Sequence, residues 1–158
     1  DVVTMAPEGV TAGSPCYSAS ARETSYEVSS PVADVVSASM EVQATAGVDR
    51  GLILAGNTAV TAASNSASID NSASTADGVV GYVHVTANTR DGSTSLSVQD
   101  SADDSTFADL VSFTGVSATT IGGERVAVAG TVERYVRTQI TPGGSSGSIT
   151  YTMAFARK

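Results

Sequence analysis

Apolar and polar residues alternate at every second position over much of this chain. The clearest run is 149–155, where Ile149, Tyr151, Met153 and Phe155 alternate with two threonines and an alanine. Period 2 places alternate side chains on opposite faces of a β-strand, so this run predicts a strand with one buried face. Similar alternation predicts strands at 82–86, 95–99, 125–129 and 135–140, and the run from Phe107 to Phe113 predicts one more.

The breaks between these runs consist of turn residues. Asp91-Gly92 is a strong hairpin signal, and further breaks stand at 103–105, 122–123 and 142–144. Short strands separated by turns every ~8–12 residues are typical of antiparallel sandwiches and barrels. We therefore expect an all-β fold in which residues 79–158 form an antiparallel β-sandwich of about seven strands.

The first half of the chain shows weaker strand signals. Residues 26–28, 35–36, 40–44 and 52–54 are candidate strands, punctuated by prolines and glycines that include Pro31. Residues 61–78 are rich in Ala, Ser, Asn and Thr and contain one large aliphatic residue, Ile69, which favours a linker. The sequence therefore predicts two lobes: a β-rich module at 1–60, a linker at 61–78 and a β-sandwich at 79–158.

Composition excludes several classes of protein. The chain has 23 Ala and 21 Val against 4 Leu and 5 Ile, and no apolar run approaches the ~18 residues of a membrane span. A single cysteine with a single histidine cannot form a zinc cluster. The net charge of −8 opposes sequence-blind binding of nucleic acid. The charge is uneven, since residues 1–78 carry −7 and residues 79–158 carry −1.

Four carboxylates within ten residues are the only candidate metal site. Asp100, Asp103, Asp104 and Asp109 supply the oxygen ligands that calcium prefers. The order of an EF-hand loop is absent, and Asp also favours turns through bonds to its own backbone. A solvated hairpin and a weak calcium site both remain open, and no other cofactor is expected.

The serine, histidine and cysteine side chains that are typical of catalysis occur here without the sequence context that catalysis needs. Residues 143–147 match G-x-S-x-G, but a nucleophile elbow needs a helix after the serine, whereas a predicted strand begins at Ile149. His84 lies on an alternating strand, and Cys16 has no base or cation near it in sequence. We therefore expect residues 143–147 to form a hairpin loop, His84 to lie on a polar strand face and Cys16 to be a small buried thiol. We expect that the protein is not an enzyme.

Several segments, taken in order, resemble tail tube (major tail) proteins of long-tailed bacteriophages. They are residues 81–87 (GYVHVTA), 98–103 (VQDSAD), 107–114 (FADLVSFT), 125–137 (RVAVAGTVERYVR) and the ending at 155–157. Residues 24–32 and 47–52 are similar to segments that precede this module in the family. The positions that carry the match are Asp103, Phe107, Gly130, Arg134, Tyr135 and Arg137.

The resemblance implies a structural virion protein of the phage tail. Family members form rings, expected to be hexameric, that stack into a hollow tube and contact other virion proteins. DNA passes through the lumen without specific binding, and no membrane is involved. An acidic lumen would repel phosphate and let DNA slide.

Two other functions remain open from the residues alone. A capsid decoration (cement) protein would clamp the outside of a virion head and needs the same stable, small-residue β-structure. A carbohydrate- or surface-binding β-sandwich would expose aromatic residues in a groove, and the absence of Trp weighs against it.

Overall fold

All the strand pairs in the described part of the chain are antiparallel. The computed structural model describes residues 1–29 and 36–158, and within them it contains strands and no helix. The strands are β1 (Val2–Met5), β2 (Pro15–Ser29), β3 (Ser37–Ala44), β4 (Asp49–Val60), β5 (Ser64–Asn65), β6 (Ile69–Asp70), β7 (Val79–Asn88), β8 (Ser95–Ser101), β9 (Ala108–Ser112), β10 (Gly122–Val128), β11 (Tyr135–Thr141) and β12 (Ile149–Arg157). The predicted all-β fold is confirmed. Val35 and Pro31, which the sequence placed in a strand and a turn, lie outside the described residues.

The strands form two sheets. The larger has the order β1-β2-β4-β12-β7-β10, with β3 added to the far part of β2. The smaller has the order β5-β11-β8-β9, with β6 also paired to β11. Residues 79–158 contribute three strands to each sheet, so this half alone already contains both layers.

Strands from the two halves of the chain share the larger sheet. β12 pairs with β4 on one side and with β7 on the other. Residues 61–78, predicted as a linker, contribute β5 and β6 to the smaller sheet, and Ile69 packs against the main core. Arg157 also donates a hydrogen bond of 2.8 Å to the Ala73 carbonyl oxygen. The domain boundaries themselves stay a prediction.

The main core lies between the two sheets. The large residues of β12, Ile149, Tyr151, Met153 and Phe155, are all buried in it, as their alternation predicted. They meet residues of the smaller sheet such as Val98. Burial of this apolar area is the main stabilising contribution, at roughly 25 cal/mol per Å².

The opposite face of the larger sheet encloses a second, smaller core. The sheet curls so that β1 comes close to β10 without hydrogen bonding to it, and Cys16, Ile53, Val80, Tyr82 and Ala154 pack inside the curl. Ala154 was expected on the exposed face of β12 with two threonines, but it is fully buried. This part of β12 is therefore covered on both faces, which an alternating pattern of large residues does not reveal.

A long hairpin projects from this body. β2 runs for 15 residues, and its last part, 22–29, pairs only with β3. Every described residue of 22–29 and 37–44 is exposed. We call these two segments the arm.

Candidate assembly surface

The arm has one apolar face and one polar face. Tyr26 lies opposite Met40, and Val28 lies opposite Ala38, so these four side chains share a face. Val42 extends the same face along β3 by the period of 2. The other face carries Ser25, Ser29, Ser37, Ser39, Glu27, Glu41 and Gln43.

A β-bulge in β2 keeps the apolar residues on one side. The pairing with β3 shifts between Glu23 and Ser25, so one extra residue is inserted in β2. Before the bulge the face is formed by odd-numbered residues such as Ala21, which lies opposite Ala44. After it the same face is formed by Tyr26 and Val28. If the same sequence paired with β3 without the bulge, Tyr26 and Val28 would lie on the face of Glu41, and Glu27 would take their place on the apolar face.

The apolar face of the arm is uncovered. Tyr26 is 63% exposed, Met40 is 55% exposed and Val28 is 53% exposed. An isolated two-stranded hairpin is marginally stable in water and needs another layer against its apolar face. Nothing in the described part of the chain supplies that layer.

The uncovered face continues into a shallow groove where the arm joins the body. Its larger lining residues are Val3, Met5, Tyr17, Val42 and Val48, and its volume is about 140 Å³. We call it the base groove. Seven of the ten large apolar side chains that are exposed in the described residues belong to the arm or to this groove: Met5, Tyr17, Tyr26, Val28, Met40, Val42 and Val48.

The groove lies on the same sheet face that the smaller sheet covers elsewhere. Tyr17 pairs with Arg50 and Pro15 pairs with Leu52, which packs against the main core. The face therefore runs from the core, past the limit of the smaller sheet, onto β1, β2 and β3. The covering layer ends before the apolar residues do.

Two opposite charges stand on this uncovered face. Glu23 lies opposite Val42 in the arm, and Arg50 lies opposite Tyr17 beside the groove. Both residues are exposed. Neither forms a salt bridge with any residue in the ranges 1–29 and 36–158.

The four candidate calcium ligands are not gathered into one set. Asp103 accepts hydrogen bonds from the backbone N–H groups of Thr106 (2.9 Å) and Ser105 (3.0 Å), which hold its carboxyl pKa well below the usual range. It acts as a turn-forming residue. Asp104 follows it in the turn with φ +59°.

The other two aspartates point to separate partners. Asp109 accepts from Gln99 Nε2 at 2.9 Å and from Ser97 Oγ at 3.1 Å, whereas Asp100 accepts from the Glu133 N–H at 2.8 Å. No group of three or more His, Cys, Asp or Glu side chains among the described residues is arranged to hold a metal ion.

Two of the remaining positions on which the sequence resemblance rests, Phe107 and Arg137, contact each other beside the smaller sheet. The Arg137 guanidinium stacks 3.7 Å from the centre of the Phe107 ring and donates to Gln99 Oε1. Gly130 has φ +110°, a conformation that favours glycine.

Arg134 ties the start of β11 to β6 within the smaller sheet. It forms two hydrogen bonds to Asp70, of 2.7 and 2.6 Å, and these lower the pKa of Asp70 to about 2. Its guanidinium also lies 5.0 Å from the centre of the Tyr135 ring.

The glycine-rich loop at 143–147 surrounds a buried arginine that the sequence did not single out. Arg90 is 4% exposed and donates to the carbonyl oxygens of Gly143, Gly144, Gly147 and Thr61. Gly147 has φ +85°, and a side chain there would lie 2.1 Å from the Thr89 carbonyl oxygen. The loop leads directly into β12, as expected, and its glycines let the backbone close around Arg90.

His84 and Cys16 lie inside the curl of the larger sheet. His84 Nε2 is 2.9 Å from Thr4 Oγ1, which is 2.8 Å from Ser18 Oγ, so the three residues tie β1 to β7. Burial lowers the pKa of His84. Cys16 is buried as expected, and burial raises the pKa of its thiol.

A buried polar cluster closes one end of the curl. Burial alone would raise the pKa of Asp49, but hydrogen bonds from Lys158 and Tyr82 lower it. The Tyr82 side chain is fully buried, and burial with this carboxylate raises the pKa of Tyr82 to about 12. Arg125 adds a bond to the Tyr82 hydroxyl at 3.1 Å. The cluster ties β4, β7 and β10 to the C-terminal Lys158.

The candidate functional surface is therefore the arm together with the base groove. The described part of the chain has no helix long and apolar enough to cross a membrane. No protein-family model, no curated protein and no solved structure matches this chain.

Proposed function

We propose that this chain is a structural virion protein that self-assembles into stacked rings, forming the tail tube of a long-tailed bacteriophage. The observation that carries the proposal is the amphipathic arm, whose apolar face is exposed on a hairpin too thin to bury it. Large exposed apolar surfaces on a soluble body mark protein interfaces. The ordered segments that resemble tail tube proteins favour an interface between copies of this chain in a tube.

The charge distribution is consistent with passage of DNA. The chain carries a net charge of −8, of which −7 lies in residues 1–78. The polar face of the arm exposes Glu27 and Glu41. A lumen lined by carboxylates would repel phosphate and keep DNA from adhering during ejection. The protein would act as a passive conduit, and other virion proteins would contact the ends of the tube.

Electron microscopy of the recombinant protein at high concentration tests this proposal. We expect stacked rings with a central channel. The matched control is the variant Tyr26→Ser with Met40→Ser, which changes only the apolar face of the arm and should give single particles without rings.

Discrete trimers without a channel would reject the tube and favour the second candidate, a capsid decoration protein. Decoration proteins bind side by side on a shell and need no channel. Monomers at every concentration would reject both assembly functions and leave a surface-binding β-sandwich.

A further inference from the structure

We infer that the arm of one copy docks into the base groove of a second copy of this chain, with Glu23 of one facing Arg50 of the other. The inference rests on the proposed self-assembly and names the surfaces that make the contact. Both surfaces are uncovered, and both lie on the same face of β1, β2 and β3.

The arm and the base groove each present four large exposed apolar side chains, with Val42 common to both. The base groove, at about 140 Å³, has room for about one large side chain, such as Tyr26 or Met40 of the arm. Four such side chains on each partner make a contact smaller than the roughly 800 Å² per partner of a standard interface. Each copy can make two of these contacts, one through its arm and one through its groove, and together they use all seven side chains.

The arm cannot fill the groove of its own chain. Tyr26 and Tyr17 lie on one continuous strand, nine residues apart, which is roughly 30 Å at ~3.3 Å per residue. Bending the strand back would break its pairing with β3, which extends from Ala21 to Ser29. An arm that occupies the groove therefore comes from another molecule.

The charges favour a second copy as that molecule. Glu23 belongs to the arm and Arg50 borders the groove, so an arm placed in a neighbouring groove brings an anion to a cation that forms no salt bridge with residues 1–29 or 36–158. An unrelated partner would need to supply both an apolar ribbon and a matching carboxylate. The chain already carries both on one face.

Reversal of the two charges tests the pairing. Glu23→Arg and Arg50→Glu should each raise the dissociation constant for self-association about tenfold, measured by sedimentation velocity. The double variant should restore it to within about threefold of wild type, because the opposite charges meet again. Additive weakening in the double variant would overturn the pairing.

Disulfide trapping tests which surfaces meet. One preparation carries Met40→Cys and another carries Val48→Cys, while native Cys16 is buried and serves as an internal blank. Mixing the two under mild oxidation should give a mixed cross-linked dimer. Cross-linking of Met40→Cys with itself, but not in the mixture, would replace arm-to-groove docking by arm-to-arm docking and overturn the inference.

A matched pair of variants separates docking from folding. Tyr26→Ser with Met40→Ser should abolish association, whereas Glu27→Ser with Gln43→Ser, on the polar face of the same arm, should leave it unchanged. Equal association of both variants would overturn the inference. Cross-linked oligomers that form no rings would support the docking and reject the tail tube. Rings that persist in Tyr26→Ser with Met40→Ser would support the tail tube and reject the docking.

Discussion

Replacement of Arg90 by lysine is expected to destabilise the fold strongly, although Arg90 lies far from the arm. Its guanidinium makes five hydrogen bonds to four carbonyl oxygens, with donor–acceptor distances of 2.6 to 3.2 Å. These oxygens belong to the 143–147 loop and to Thr61. The side chain thus joins the entry to β12 with the end of β4.

The size of the effect follows from the donors that are lost. Lysine keeps the charge but concentrates its three donors at one nitrogen, so at least two of the five bonds cannot form. A hydrogen bond to a charged group contributes roughly 1.5–3 kcal/mol, so loss of two should lower the free energy of unfolding of Arg90→Lys by about 3–6 kcal/mol. For a domain of this length that corresponds to a fall in Tm of about 6–24 °C.

Urea denaturation followed by far-ultraviolet circular dichroism measures this difference. Low protein concentration keeps self-association from adding to the stability. The control is Arg22→Lys, because Arg22 is exposed and makes no side-chain hydrogen bond within the described residues. The control should change stability by less than about 0.5 kcal/mol. A loss below about 1 kcal/mol for Arg90→Lys would show that water satisfies the loop carbonyls and would refute the reasoning.

Three further changes have expected outcomes. Because burial lowers the pKa of His84, the fold disfavours its charged form, so this contribution to stability is complete above pH 6.5, the ordinary value, and is lost as the pH falls below it. Urea denaturation of His84→Gln at pH 7.5 and 5.5 should show a smaller loss on acidification than wild type; an equal loss would assign it to other groups. Gly147→Ala should lower Tm by several degrees because of its positive φ and close backbone contact, whereas Gly9→Ala, with positive φ and open space, should lower it less. Arg137→Ala should cost about 0.5–2 kcal/mol through loss of the stacking on Phe107, and a matching loss for Phe107→Leu in the same denaturation series would confirm that stacking; no change in either would exclude it.

The sequence predicted where the strands lie better than it predicted which of their faces are covered. The alternation at 149–155 correctly identified β12 and its buried residues, because packing on one face dictates that pattern. It did not predict burial of Ala154, since a small residue on the second face is compatible with water or with a tight core. It could not predict that the candidate strands at 26–28 and 40–44 form a projecting arm, because covered and uncovered strands alternate alike.

Long-range contacts account for the other gaps. The segment at 61–78 has the composition of a linker, yet β5 and β6 pair with β11, a strand more than sixty residues later. Arg90 appears in sequence as part of an ordinary Asp-Gly turn. Its role depends on carbonyl groups brought together only when β4, β7 and β12 are aligned.

The bulge at Glu23 and Ser25 has a consequence for how the arm can change its reach. Beyond the bulge the side chains alternate strictly, so two residues added to each strand would lengthen the arm by roughly 7 Å and leave the same side chains on the apolar face. A single residue inserted in β2 between the bulge and Tyr26 would instead turn Tyr26 and Val28 to the face of Glu41 and bring Glu27 onto the apolar face. In the docking that we propose, the spacing between neighbouring molecules could therefore change only in steps of two residues, counted from the bulge.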